Sequence, residues 1–281
     1  MSWSAKDIPD QSGRTVVITG GNSGIGYPTA LELAKKGAEV HIAARDAARG
    51  EAAVKRIQKH GGQAQFHRLD LGDLDDVARF AEAAPESVDV LINNAGIMMT
   101  PPWTTKQGYE AQWGVNVVGH AQLTKHLLDR ITDRVVTISS IAHQRGRIVP
   151  ESWRSLDRYQ PWWAYSQSKL GNLLFAQALD RRLGDGRRSI AAHPGVSLTR
   201  LSRDMPLKFK LAMLAYVPFL QSAARGALPT LYAATQDVPG GSYWGPRGFR
   251  EWRGAPGPAE VFMHAQDEAL QDEVFEAVWD I

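Results

Sequence analysis

From Arg14 to His193, short apolar runs rich in Val, Ile and Ala alternate with helical segments, and few folds accommodate that alternation. RTVVIT (14–19), EVHIAA (39–44), AQFHRL (64–69), DVLINN (89–94), RVVTIS (134–139) and SIAAH (189–193) read as strands. Helices are expected at 25–36, 46–60, 73–84 with Asp73 as N-cap, 107–129, and from YSQSK (165–169) onward. Strands of continuous apolar character separated by helices predict a parallel sheet covered on both faces. Right-handed crossovers then make the doubly wound Rossmann architecture the expected fold: one α/β domain over 1–281 with about seven strands. No repeat or linker divides the chain. The Gly/Pro-rich stretch from 241 is expected to be irregular, with an amphipathic helix near 258–279 closing the domain. In such a fold ligands bind beyond the carboxyl ends of the strands, so residues that follow strands are the candidates for chemistry.

Composition removes several functions. A net charge of +2, with basic and acidic residues mixed along the chain, gives no footprint for nucleic acid. With 0 cysteines there are no disulfides, thiolate nucleophiles or Cys-bound metals, and the 8 histidines lack ligand spacing, so no metal is expected. The first residues resemble no signal peptide, and no apolar run is long enough to span a membrane. The expectation is a soluble, cytoplasmic chain.

The first strand runs straight into TGGNSGIG (19–26). Glycines at 20, 24 and 26 permit a tight turn and let backbone amides approach a pyrophosphate at a helix N-terminus. Ala44-Arg45-Asp46 ends the second strand. A guanidinium there suits the 2′-phosphate of NADP, whereas an acidic residue bonds the ribose of NAD. Arg45 points to NADP(H), with Asp46 as the competing group. Further on, Tyr165 and Lys169 sit one helical turn apart on the same face. A cation beside a phenol is expected to lower its pKa toward the range of a general acid.

Taken in order, TGGNSGIG, Asp70-Leu71, NNAG (93–96), Asn116, Ser140, Tyr165-x-x-x-Lys169 and HPGVSLT (193–199) resemble the short-chain dehydrogenases/reductases. IAARDAARGE, VVTISSIAH and YSQSKLGNLLFAQAL are most similar to the branch holding retinol dehydrogenases and NADPH-dependent carbonyl reductases. The resemblance implies that Gly20, Asn22, Ser23, Gly24, Ile25 and Gly26 hold the pyrophosphate and ribose, and that Asp70 and Leu71 flank the adenine. Asn94, Ala95 and Gly96 would line the adenosine half. Pro194, Gly195, Ser197 and Thr199 would meet the nicotinamide carboxamide and phosphate. It also implies Tyr165 as general acid/base, Ser140 as hydrogen-bond donor to the substrate oxygen, Lys169 as ribose ligand and Asn116 as holder of a proton-relay water. A homodimer or tetramer is expected from the resemblance alone.

Two departures stand out: the helix-to-strand turn RITDR is short, and the stretch from Ser140 to Tyr165 is long. The latter is expected to shape the substrate entrance. The apolar stretch within 200–221 resembles a substrate lid, which would suit a hydrophobic ketone or aldehyde, and reads equally as a helix packed on the core or at a subunit contact. Trp153, Trp162, Trp163 and Trp244 could supply aromatic walls, though a tryptophan is more often a core or interface residue, and His143 could touch substrate but reads first as a loop histidine with no role. The activity expected is NADP(H)-dependent hydride transfer to or from a hydrophobic carbonyl or alcohol. The alternatives are reduction of a conjugated C=C bond and a non-catalytic NADP-binding protein acting through partners.

Overall fold

The first strand carries Val16, Val17 and Ile18, all fully buried. Successive strand side chains point to opposite faces. Val16 and Ile18 enter one apolar cluster and Val17 the other, so neither face of this strand meets water. That is the signature of a central parallel strand. In the computed structural model, which describes residues 2–197 and 220–281, the strand lies inside an eight-stranded sheet.

The strands are β1 (Thr15–Thr19), β2 (Glu39–Ala44), β3 (Gln63–Arg68), β4 (Val88–Asn93), β5 (Ile131–Ile138), β6 (Arg188–Ala192), β7 (Tyr243–Pro246) and β8 (Pro256–Pro258). Their order is β3-β2-β1-β4-β5-β6-β7-β8, parallel throughout except for β8. Helices α1 (Gly26–Lys35) and α2 (Ala47–Lys59) bury Leu33, Ala53 and Ile57 against one face. On the other face α3 (Leu74–Ala83), α4 (Gly119–Leu127), α5 (Pro161–Arg182) and α6 (Glu268–Trp279) bury Phe80, Leu123, Leu173 and Phe275. The winding direction reverses between β1 and β4, which opens a crevice beyond their carboxyl ends.

The expected fold class holds, and three local readings are corrected. The helix expected over 107–129 begins at Ala111 and passes through a π-turn at Gly114–Val118. Gly108 lies at φ +79°, and the Glu110 amide is taken by the Trp153 carbonyl at 2.7 Å, so no helix can start earlier. Most of RITDR belongs to β5, where Ile131 pairs with Val88. The stretch read as irregular after 241 adds β7 and β8, giving eight strands, and its closing helix starts at Glu268 behind an Asp267 cap. Pro256 and Pro258 are tolerated because β8 is an edge strand that needs few donors. The lid expected over 200–221 falls almost wholly on 198–219, outside the described residues. Among those described, no helix is long and apolar enough to cross a membrane.

Candidate active site

A cleft of about 530 Å³ opens at the carboxyl edge of the sheet. It is lined by the glycine loop, Ala44–Asp46, Asp70-Leu71, Asn94–Gly96, Ser140, Tyr165, Lys169 and Pro194–Ser197. The sites read from sequence are thereby brought together. Asn116 is buried beneath the cleft, and Thr199 lies outside the described residues.

The glycine loop closes on its own backbone. A Cβ on Gly26 would lie 2.4 Å from the Gly20 carbonyl oxygen and 2.5 Å from Asn94 Nδ2, so no side chain fits there. Asn94 Nδ2 donates to the Thr19 carbonyl at 2.7 Å, and the amides of Asn94 and Ala95 both donate to Thr19 Oγ1 at 2.9 Å. These bonds tie the end of β4 to the end of β1. Asn94 Oδ1 is buried with no protein partner, as a ligand-facing acceptor would be. At the far end, Asp46 caps α2 through the Arg49 amide (3.0 Å) and pairs with Arg49 Nε (2.5 Å), while Arg45 stays exposed on the cleft wall.

At the inner end α5 brings Tyr165 and Lys169 to the cleft. Lys169 Nζ donates to the Ile138 carbonyl at 3.0 Å and lies 5.9 Å from the centre of the Tyr165 ring. Burial pushes Tyr165 up to about 12, and a hydrogen bond from Ser140 pulls the other way. Burial likewise pushes Lys169 down to about 8. The acidified phenol expected from spacing alone is therefore outweighed by desolvation, because the ammonium bonds a carbonyl instead of the phenol oxygen. Ser139 Oγ is committed to the Lys169 carbonyl at 2.7 Å, which leaves Ser140 as the serine beside the phenol.

Asn116 Nδ2 donates to the Ile97 carbonyl (3.0 Å) and to Ser168 Oγ (2.9 Å). Its own carbonyl accepts from His120 Nδ1 at 2.9 Å, so His120 Nε2 is left to accept from the Thr19 hydroxyl at 2.8 Å. His120 went unnoticed in the sequence, since nothing local marks it as a link between β1 and the π-turn. Burial holds it at about 4, against 6.5 for a free histidine, and His143 is held at about 4 for the same leading reason. Between these values the unfolded chain takes up protons that the folded one refuses. Stability from these groups is complete above pH 6.5 and is lost as pH falls toward 4. Urea midpoints should drop between about pH 7.5 and about pH 5, and His120→Gln should flatten that slope.

Of the tryptophans expected as walls, only Trp162 lines the cleft, with its ring 6.1 Å from that of Tyr165. Trp153 stacks on Trp113 and Trp244 packs on Tyr232, while the unexpected Trp103 joins the cleft wall. His143 is buried, bonds the Ser140 carbonyl and does not line the cleft. Among the described residues no cluster could hold a metal ion.

Residues 14–208 match the family model for short chain dehydrogenase. The chain belongs to that family. Retinol dehydrogenase 12 of Mus musculus is 43% identical over 232 residues, covering 79% of this chain and 73% of that protein. The crystal structure of an uncharacterized protein from Mycobacterium paratuberculosis is 45% identical with a TM-score of 0.86, covering 100% of this chain and 98% of the other. Pseudomonas aeruginosa RhlG in complex with NADP shares the fold at a TM-score of 0.66 and 23% identity, covering 83% of this chain and 94% of the other. This short-chain dehydrogenase is thus an oxidoreductase of the retinol dehydrogenase-like kind, in a family that binds a nicotinamide coenzyme. The glycine cradle and the unpartnered Asn94 oxygen fit such a group.

Proposed function

We propose that this chain transfers hydride between NADP(H) and the carbonyl or alcohol carbon of a hydrophobic small molecule, with Tyr165 as general acid and base. The observation that carries the reading is the meeting of Ser140, Tyr165 and Lys169 at one end of a cleft whose other end carries the glycine loop and Arg45. When bound, the nicotinamide supplies or accepts the hydride. Amides of the glycine loop and the N-terminus of α1 would hold the pyrophosphate. Asp70 and Leu71 would flank the adenine, Asn94 to Gly96 would line the adenosine half, and Pro194 to Ser197 with Thr199 would meet the nicotinamide end.

Tyr165 gives a proton to the substrate oxygen in reduction and takes it back in oxidation. Ser140 donates a hydrogen bond to that oxygen and stabilises its developing charge. Lys169 binds the ribose, and Asn116 holds the turn beneath it. The preference for NADP rests on Asp46, whose oxygens are committed to α2 and Arg49, beside an Arg45 that keeps its guanidinium on the cleft wall. An apolar substrate is supported by Ile97, Met98, Ile141, Ala142, Trp162 and Val196 along the cleft.

A panel of ketones and aldehydes, followed by the loss of reduced-coenzyme absorbance, tests the proposal. Apolar carbonyls should be reduced faster than polar ones of similar size, and NADPH should serve better than NADH. If no carbonyl is reduced with either coenzyme, the proposal falls.

A further inference from the structure

Behind Pro194–Ser197 lies a group of polar side chains that the proposed chemistry leaves unused. His193, at the end of β6, is fully buried. Its Nδ1 accepts from the Gly195 amide at 3.2 Å, so the neutral ring carries its proton on Nε2. That Nε2 lies 3.1 Å from Glu251 Oε2, in contact with it though not aligned as a hydrogen bond. The other carboxylate oxygen, Oε1, accepts from the Glu260 amide at 2.8 Å.

The backbone that delivers this carboxylate is strained. Arg250 and Glu251 are consecutive non-glycine residues in the left-handed region, at φ +50° and +55°. Such conformations persist where the surrounding structure over-determines them, and an observed pair invites a functional reading. The same turn grips the neighbouring segment through its main chain. The Val196 amide donates to the Trp252 carbonyl at 2.9 Å. Gly195 sits so close that a Cβ there would lie 2.4 Å from the Trp252 oxygen and 2.9 Å from that of Glu251. Tyr243, fully enclosed, packs its ring 5.1 Å from that of His193 and 5.3 Å from that of His143, and His143 bonds the Ser140 carbonyl at 2.7 Å.

We infer that Glu251 and His193 are positioning residues that clamp Pro194–Val196 in the shape needed at the nicotinamide end of the coenzyme. The inference rests on the coenzyme placement proposed above. The carboxylate faces the imidazole, the imidazole holds the Gly195 amide, and the turn holds the Val196 amide. The adenosine end of the cleft shares none of these contacts, so the two halves of the coenzyme respond differently when the clamp is removed.

Glu251→Gly separates this role from a merely structural one. Glycine adopts a positive φ without penalty, so the variant relieves backbone strain while deleting the carboxylate. Calorimetric binding of NADPH and of 2′,5′-ADP, which lacks the nicotinamide half, is measured on each protein together with its melting temperature. The expected result is a melting temperature equal to or above that of the wild type, with the Kd for NADPH raised about tenfold. The Kd for 2′,5′-ADP should stay within about twofold, and Glu251→Gln, whose amide keeps a single acceptor oxygen, should restore only part of the NADPH affinity. If Glu251→Gly binds NADPH as the wild type does, or weakens both ligands equally, the clamp is overturned and the coenzyme placement stands. A wild-type protein that binds neither ligand overturns both.

Discussion

Replacing Tyr165 with phenylalanine is expected to lower kcat for carbonyl reduction by about a thousandfold, within the range for loss of a positioned general acid. Binding of NADPH should change by less than about threefold, because the removed hydroxyl bonds Ser140 and not the coenzyme-side residues. The ring stays, so packing against Trp162 and the cleft wall is kept. The pH dependence of the wild type carries the same signature. Burial keeps the phenol protonated up to about 12, so reduction draws on a loaded proton donor throughout the neutral range. Alcohol oxidation needs the phenol deprotonated and should accelerate as pH rises. Steady-state kinetics in both directions, with coenzyme binding measured separately, check the prediction. A Tyr165→Phe variant with wild-type kcat would remove Tyr165 from the proton-transfer role.

Arg45→Ala should raise KM for NADPH by about ten- to a hundredfold, in keeping with the loss of charge-assisted hydrogen bonds to a phosphate. The effect on NADH should be slight, since that coenzyme offers no 2′-phosphate. Arg49 does not replace the lost side chain in this account, because its guanidinium is paired with Asp46 at 2.5 Å. Asp46→Ala is the informative companion. It frees Arg49 and uncaps α2 at a cost of about 1 kcal/mol, but it gives NADH no new contact. The measured quantity is the ratio of kcat/KM for the two coenzymes. An equal loss with both would remove Arg45 from the phosphate site.

What could be read from the sequence was what is encoded locally. The glycine loop follows the first strand and Tyr165 and Lys169 share one helical face, as spacing shows, whereas Asp70-Leu71 was singled out by the family resemblance, and the cleft brings all of them together. Burial was harder to read. The i, i+4 spacing predicted an ammonium next to a phenol, but only the structure reveals that Lys169 spends a hydrogen bond on Ile138. His120 acts across the sheet on Thr19, and Glu251 reaches His193 from a distant turn. No pattern of neighbouring residues announces contacts of that kind. β7 and β8 escaped notice because their Gly and Pro content argues against strands in isolation, and they exist because the edge of β6 offers a partner. The π-turn at Gly114–Val118 was hidden inside a regular helical pattern.

Isotope transfer shows whether the cleft brings a reduced nicotinamide against a carbonyl beside Tyr165. The protein is incubated with an apolar ketone and NADPH deuterated at C4, using each of the two epimers in turn, and the alcohol product is analysed by mass spectrometry. Deuterium should appear on the carbinol carbon with one epimer and be absent with the other. An alcohol free of deuterium with both epimers would contradict the account.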